Sequence, residues 1–129
     1  MNPRRQSWFR KFASAMRGIG IAIGGERSFY VHLPVAALML LLSFWVRMPF
    51  SYMVWIIAAI GAVFTAEIFN TAIERLARRV SLKDDPEIAD VCDIASGAVL
   101  VTAITAVVIG VLILGPRLIL VMHNIVIRQ

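Results

Sequence analysis

Apolar and polar positions divide the chain into a mixed N-terminal stretch and three long apolar runs. Over residues 4–24, Trp8, Phe9, Phe12, Met16 and Ile19 recur at helical spacings, with Arg4, Arg10, Lys11 and Arg17 filling positions between them. That period predicts an amphipathic helix lying on a membrane surface, bulky side chains in the acyl boundary and cations among the headgroups. A first membrane helix is predicted over 29–46, with Pro34 in its first turn, where a missing N–H is tolerated. Arg47-Met48-Pro49 reads as a short turn. A second helix is predicted over 50–80: its apolar run extends from Phe50 to about Phe69, and the helical pattern carries on through Glu74 to Val80. Leu82 to Asp90 reads as a polar loop. A third membrane helix is predicted over 93–114, broken by Gly115-Pro116-Arg117, and the apolar tail 118–129 has no assigned place. Three spans of about 20 residues suit a hydrocarbon core of roughly 30 Å.

Composition strengthens the membrane assignment. The 129 residues are 60% hydrophobic and 16% charged, where a soluble domain carries roughly a quarter charged. One all-α integral membrane domain follows. The net charge of +5 reads as attraction to anionic headgroups and a cytoplasmic excess of cations, with no call for nucleic acid. Six Lys/Arg precede the first span and four lie between the second and third, against Arg47, Arg117 and Arg128 elsewhere. That asymmetry places the N-terminus and the second loop in the cytoplasm. The basic interruptions before residue 28 argue against a cleavable signal. Cys92 is the sole cysteine, which excludes an internal disulfide and a Cys/His metal cluster. His32 and His123 read as interfacial residues and not as ligands.

All eight acidic residues fall on the cytoplasmic side or at its boundary, and acidic residues do not set topology. Glu67, Asn70, Thr71 and Glu74 stand at i, i+3, i+4 and i+7, so they share one helix face, with the two carboxylates roughly 10 Å apart along the axis. An uncharged stretch from Tyr52 to Ala66 leads into Glu67. An ionisable group in that position is costly unless it faces protein, water or a cation, which makes it a functional candidate. The plainer alternative for Glu74 is an interfacial pair with Arg75 or Arg78. Glu26, after Gly24-Gly25, and Asp93 bring acids from the other two spans to the same depth. Carboxylates and an amide oxygen suit Mg²⁺, and a second carboxylate can take a proton during phosphoryl transfer. No Gly-x-x-x-x-Gly-Lys-Ser/Thr loop is present. Gly18, Gly20, Gly24 and Gly25, like Ala95-Ser96-Gly97-Ala98, read as small residues permitting close packing.

The block Glu67–Glu74, Cys92-Asp93-Ile94-Ala95-Ser96-Gly97-Ala98-Val99 and Glu26-Arg27-Ser28-Phe29 resemble the prokaryotic diacylglycerol kinase family, nearest its undecaprenol kinase branch. The resemblance covers about residues 9–118. It implies a homotrimer in the bacterial cytoplasmic (inner) membrane, each subunit with a surface helix and three spans, and active sites shared between neighbours. It implies a lipid kinase using Mg·ATP on undecaprenol or diacylglycerol. By position, Glu67 is then the general base on the lipid hydroxyl, and Glu26 and Glu74 hold Mg²⁺ with the ATP phosphates. Asn70 supports that cluster. Lys83, Asp84, Asp85, Cys92 and Asp93 lie toward the nucleotide, and Ser96 lies near the lipid head. Two positions depart from the family pattern: Cys92 stands where a lysine is usual, and Arg78 where an aspartate is usual. Either Arg78 or Lys83 supplies the missing cation, or phosphate-donor use changes or activity is weak. A proton-coupled transporter with Glu67 as its titrating group and a non-catalytic family member acting as a scaffold stand as alternatives.

Overall fold

The computed structural model describes residues 8–80 and 85–127, and among these every regular element is a helix. They are α1 (Trp8–Gly25), α2 (Phe29–Trp45), α3 (Phe50–Val80) and α4 (Pro86–Ile127). The start of the surface helix at residues 4–7, together with Lys83, Asp84 and Arg128, lies outside the described residues.

Helix α1 meets α2 at 106° across a three-residue elbow, Glu26-Arg27-Ser28. Trp8, Phe9, Phe12 and Met16 on α1 are exposed, and Lys11 sits over the Trp8 ring at 5.1 Å. A helix perpendicular to its successor, with a bulky apolar face and cations beside it, has the form of one lying in a membrane interface. Gly25 ends it where the Arg75 guanidinium lies against its backbone, so that a Cβ at this position would collide with that side chain. Arg75 Nη2 also reaches the Ile21 carbonyl at 3.5 Å, placing a cation at the negative end of the helix dipole.

Pro34 is the sixth residue of α2, a turn deeper than the sequence suggests. It removes the N–H that would bond the Tyr30 carbonyl; the helix continues because its other bonds and its packing hold it. At the far end, Met48 N–H donates to the Ser43 carbonyl at 2.9 Å and Arg47 N–H to the Phe44 carbonyl at 3.0 Å. This is a Schellman ending, and its αL position falls on Arg47, at φ 50°. Pro49 follows, and its carbonyl accepts the first bonds of α3 from Tyr52 and Met53. Val46, Met48 and Met53 bury around this turn with Leu114 of α4, so the hairpin is locked against the last helix.

Helix α3 has 31 residues and α4 has 42, or about 46 and 63 Å at 1.5 Å per residue, and both exceed a bilayer core. Two boundaries of the last helix differ from the sequence expectation. It starts at Pro86, not near Asp93, because Asp85 caps it: Asp85 Oδ1 accepts from the Glu87 N–H at 3.0 Å. Proline suits the first helical position next to such a cap. The helix then runs through Gly115-Pro116-Arg117 to Ile127 instead of breaking. One missing N–H is a local loss, and the apolar residues on both sides keep helical backbone preferable to exposed peptide groups in lipid. Hydroxyls along the spans bond back to main-chain carbonyls, as in Ser43 to Met39 at 2.7 Å and Thr105 to Val101 at 2.9 Å. Among the described residues no buried side-chain polar atom lacks a partner.

Candidate functional site

Glu67 is 3% exposed, deep on α3. A carboxylate so placed needs donors to offset lost hydration, and it has two. Ser28 Oγ donates to Oε2 at 2.9 Å, and His32 Nε2 lies 2.8 Å from Oε1. Both donors come from the start of α2, one helical turn apart. Ser28 is the N-cap residue of that helix, yet it makes no side-chain cap bond; its hydroxyl goes to Glu67 instead. Phe29 between them is 1% exposed and packs edge-on against Phe64 of α3, ring centroids 5.8 Å apart. That contact fixes α2 against α3 a turn below the carboxylate. Thr71, 2% exposed, donates to the Glu67 main-chain carbonyl at 2.9 Å.

One turn further along α3 the face opens. Asn70 Nδ2 donates to Glu74 Oε1 at 2.8 Å. The second oxygen, Oε2, meets Arg78 Nη1 at 3.4 Å. The other terminal nitrogen of Arg78 lies 3.7 Å from Oε1 of Glu26, at the elbow. Arg78 thus stands between two carboxylates from different helices. Ser96 on α4 completes the wall: its Oγ donates to the Cys92 carbonyl at 3.0 Å and lies 3.4 Å from Asn70 Oδ1.

These groups line one open cleft of about 530 Å³, walled by Glu26, Ser28, Glu67, Asn70, Glu74 and Ser96. Below it, an apolar groove of about 280 Å³ runs between α2, α3 and α4 from His32 past Val35, Ile60 and Val107. The cleft suits a polar head and the groove suits a hydrocarbon chain. Glu26 and Glu74 already share one cation in the Arg78 guanidinium. Carboxylate oxygens of this kind, with the Asn70 amide beside them, are the donors a hard divalent ion takes when it completes its shell with water and phosphate oxygens. Among the described residues no group of three or more His, Cys, Asp or Glu gathers into an all-protein metal cage.

Of the residues singled out in the sequence, Glu26, Glu67, Asn70, Glu74 and Ser96 meet in the cleft. Cys92 and Asp93 stand on the same helix as Ser96 but outside the cleft lining, and Asp85 is the cap of α4. Lys83 and Asp84 lie outside the described residues. His32 is a correction: far from being only an interfacial residue, it is a direct partner of Glu67. Ser28 is a second partner that the sequence pattern alone does not identify. The available signal was their i, i+4 spacing on an otherwise apolar helix, facing a buried acid that needed donors.

The profile of the prokaryotic diacylglycerol kinase family matches residues 13–114. The undecaprenol kinase of Bacillus subtilis (strain 168) is 35% identical over 111 residues, covering 86% of this chain and 90% of that protein. No solved structure matches the chain significantly.

Proposed function

This chain belongs to the prokaryotic diacylglycerol kinase family, and from that premise we propose that it transfers the γ-phosphoryl group of ATP to the hydroxyl of undecaprenol or diacylglycerol. Membership makes it a membrane lipid kinase; the donor, the acceptor and the residue roles are the proposal. The observation that carries it is the placement of one buried carboxylate, Glu67, in the same open cleft as two carboxylates that share a cation.

Glu67 is the general base. An ionised carboxylate offers about four lone-pair sites, so one that already accepts from Ser28 and His32 still has room for a lipid hydroxyl. The two fixed donors orient it. The lipid oxygen bonds to the γ-phosphorus, the bond to the ADP oxygen breaks, and Glu67 takes the hydroxyl proton. Glu26 and Glu74 hold Mg²⁺ with the nucleotide phosphates, and Asn70, donating to Glu74, keeps that carboxylate turned toward the cleft. Mg²⁺ bound there supplies neutralisation of the phosphate charge. Ser96 contacts the lipid head, and the apolar groove receives the chain. Lys83, Asp84, Asp85, Cys92 and Asp93 are assigned to the nucleotide.

The proposal places the protein in the bacterial cytoplasmic membrane with its N-terminus inside, as a homotrimer with sites shared between neighbours. The exposed apolar surface of α4, including Leu100, Val101, Ile104 and Val111, is available for lipid and for neighbouring subunits. A transporter would need its titrating acid near mid-span, whereas Glu67 bonds Ser28 at the elbow. The test is a panel of lipid alcohols in mixed micelles with the purified full chain and radiolabelled Mg·ATP. Label is expected in undecaprenol or diacylglycerol; no labelled lipid from any candidate alcohol would remove the proposal.

A further inference from the structure

Arg78 extends the polar face of α3 by one more turn: Glu67, Thr71, Glu74 and Arg78 follow at spacings of four, three and four. Its guanidinium meets Glu74 at 3.4 Å and Glu26 at 3.7 Å. Both separations are longer than the roughly 2.7–2.9 Å of a tight charge-assisted bond. The Arg78 side chain is 60% exposed, against 22% for Glu26 and 27% for Glu74. The arrangement is a loose clasp: two half-buried anions held by a cation that solvent can reach. Each such pair is weak, so the cation is readily released. The α4 residues that line the cleft, Ser96 and Val99, carry no charge.

We propose that Arg78 is an exchangeable counter-cation. It occupies the position between Glu26 and Glu74 in the ligand-free site and leaves when a divalent cation enters. The inference rests on the assignment of those two carboxylates as the metal ligands. Physically, the arginine keeps two like charges from repelling across the elbow while the site is empty, and it makes divalent binding a competition. Metal affinity in the absence of nucleotide is thereby lowered, so that the cation is best held when phosphate oxygens arrive with it. An aspartate at this position would act in the opposite sense, adding a ligand charge.

The experiment is Mn²⁺ binding to the full chain in micelles without nucleotide, followed by electron paramagnetic resonance of the free ion. Arg78→Gln is expected to bind Mn²⁺ about three- to thirty-fold more tightly than the parent, the size set by releasing two weak ion pairs. Arg78→Lys, which keeps the charge but loses the fork, is expected to fall between them. Arg79→Gln removes the same charge one residue away, from a side chain that does not meet either carboxylate, and is expected to change affinity less than about two-fold. Equal effects at positions 78 and 79, or weaker binding by Arg78→Gln, would overturn the exchange. If neither the parent nor Arg78→Gln binds Mn²⁺, or if Mn²⁺ binding is unchanged after Glu74→Gln, the assignment of the metal ligands fails, and the role of Arg78 with it. Unchanged helical circular dichroism in each variant shows that the comparison is between folded proteins.

Discussion

Replacing His32 with alanine should expose what it costs to keep Glu67 buried. The Glu67 side chain is 4% exposed and its two oxygens accept from His32 and Ser28. A hydrogen bond to a charged group contributes about 1.5–3 kcal/mol, and stripping one partner from a fully buried ion pair costs about 3–5 kcal/mol. The His32 side chain is 24% exposed, so water can partly replace it. Ser28 also remains. The expected loss is therefore about 1.5–3 kcal/mol, at the lower of those two ranges. Part of that loss is packing, because His32 also lines the apolar groove. A double-mutant cycle separates the terms: in a Glu67→Gln background the buried charge is gone, and His32→Ala should cost less by about 1–2 kcal/mol. His32→Gln, which can present an N–H donor from a similar length of side chain, should recover part of the loss. Unfolding of the full chain in mixed micelles by titration with a denaturing detergent, followed by circular dichroism, reads all four proteins. A His32→Ala variant as stable as the parent, or one that loses the same amount in both backgrounds, would refute the claim that His32 supports the carboxylate.

Two further predictions concern the ends of helices. Arg47 holds a left-handed backbone at φ 50°, so Arg47→Gly should equal or exceed the parent in stability while Arg47→Val should lose about 1–2 kcal/mol in the same unfolding assay; equal behaviour of the two variants would contradict the Schellman ending. Asp85→Ala should lose about 1 kcal/mol by removing the cap on the Glu87 N–H, and Asp85→Asn should not; hydrogen exchange at the first turn of α4 reads this directly, with unchanged protection in the alanine variant counting against the cap.

What was legible in the sequence was what one helix determines by itself. The face shared by Glu67, Asn70, Thr71 and Glu74 needs only the helical period, and the cost of an acid after an uncharged run needs only the bilayer. The extent of α3 over Phe50–Val80 has the same origin. What escaped depends on how helices cross. The i, i+4 spacing of Ser28 and His32 puts them on one face, but their choice as partners of Glu67 follows from the way α2 leaves the elbow and packs through Phe29 on Phe64. Arg78 had an obvious partner in Glu74, four residues away, but its second, Glu26, is 52 positions distant and on another helix. The continuation of α4 through Pro116 was obscured for a different reason. A Gly-Pro pair stops helices in water, where freed peptide groups are solvated, while in an apolar run the balance shifts toward keeping the remaining bonds.

The central claim is that Glu67 takes the proton from a lipid hydroxyl, and the most direct measurement compares the parent with Glu67→Gln in single-turnover phosphorylation of the accepted lipid, alongside binding of Mg·ATP. Glutamine keeps the size and an acceptor oxygen but cannot hold the proton. Loss of general-base action should slow phosphoryl transfer by roughly 10²–10⁴-fold while Mg·ATP binding, which we assign to Glu26 and Glu74, stays within about two-fold. A variant that phosphorylates lipid at the parental rate would contradict the account.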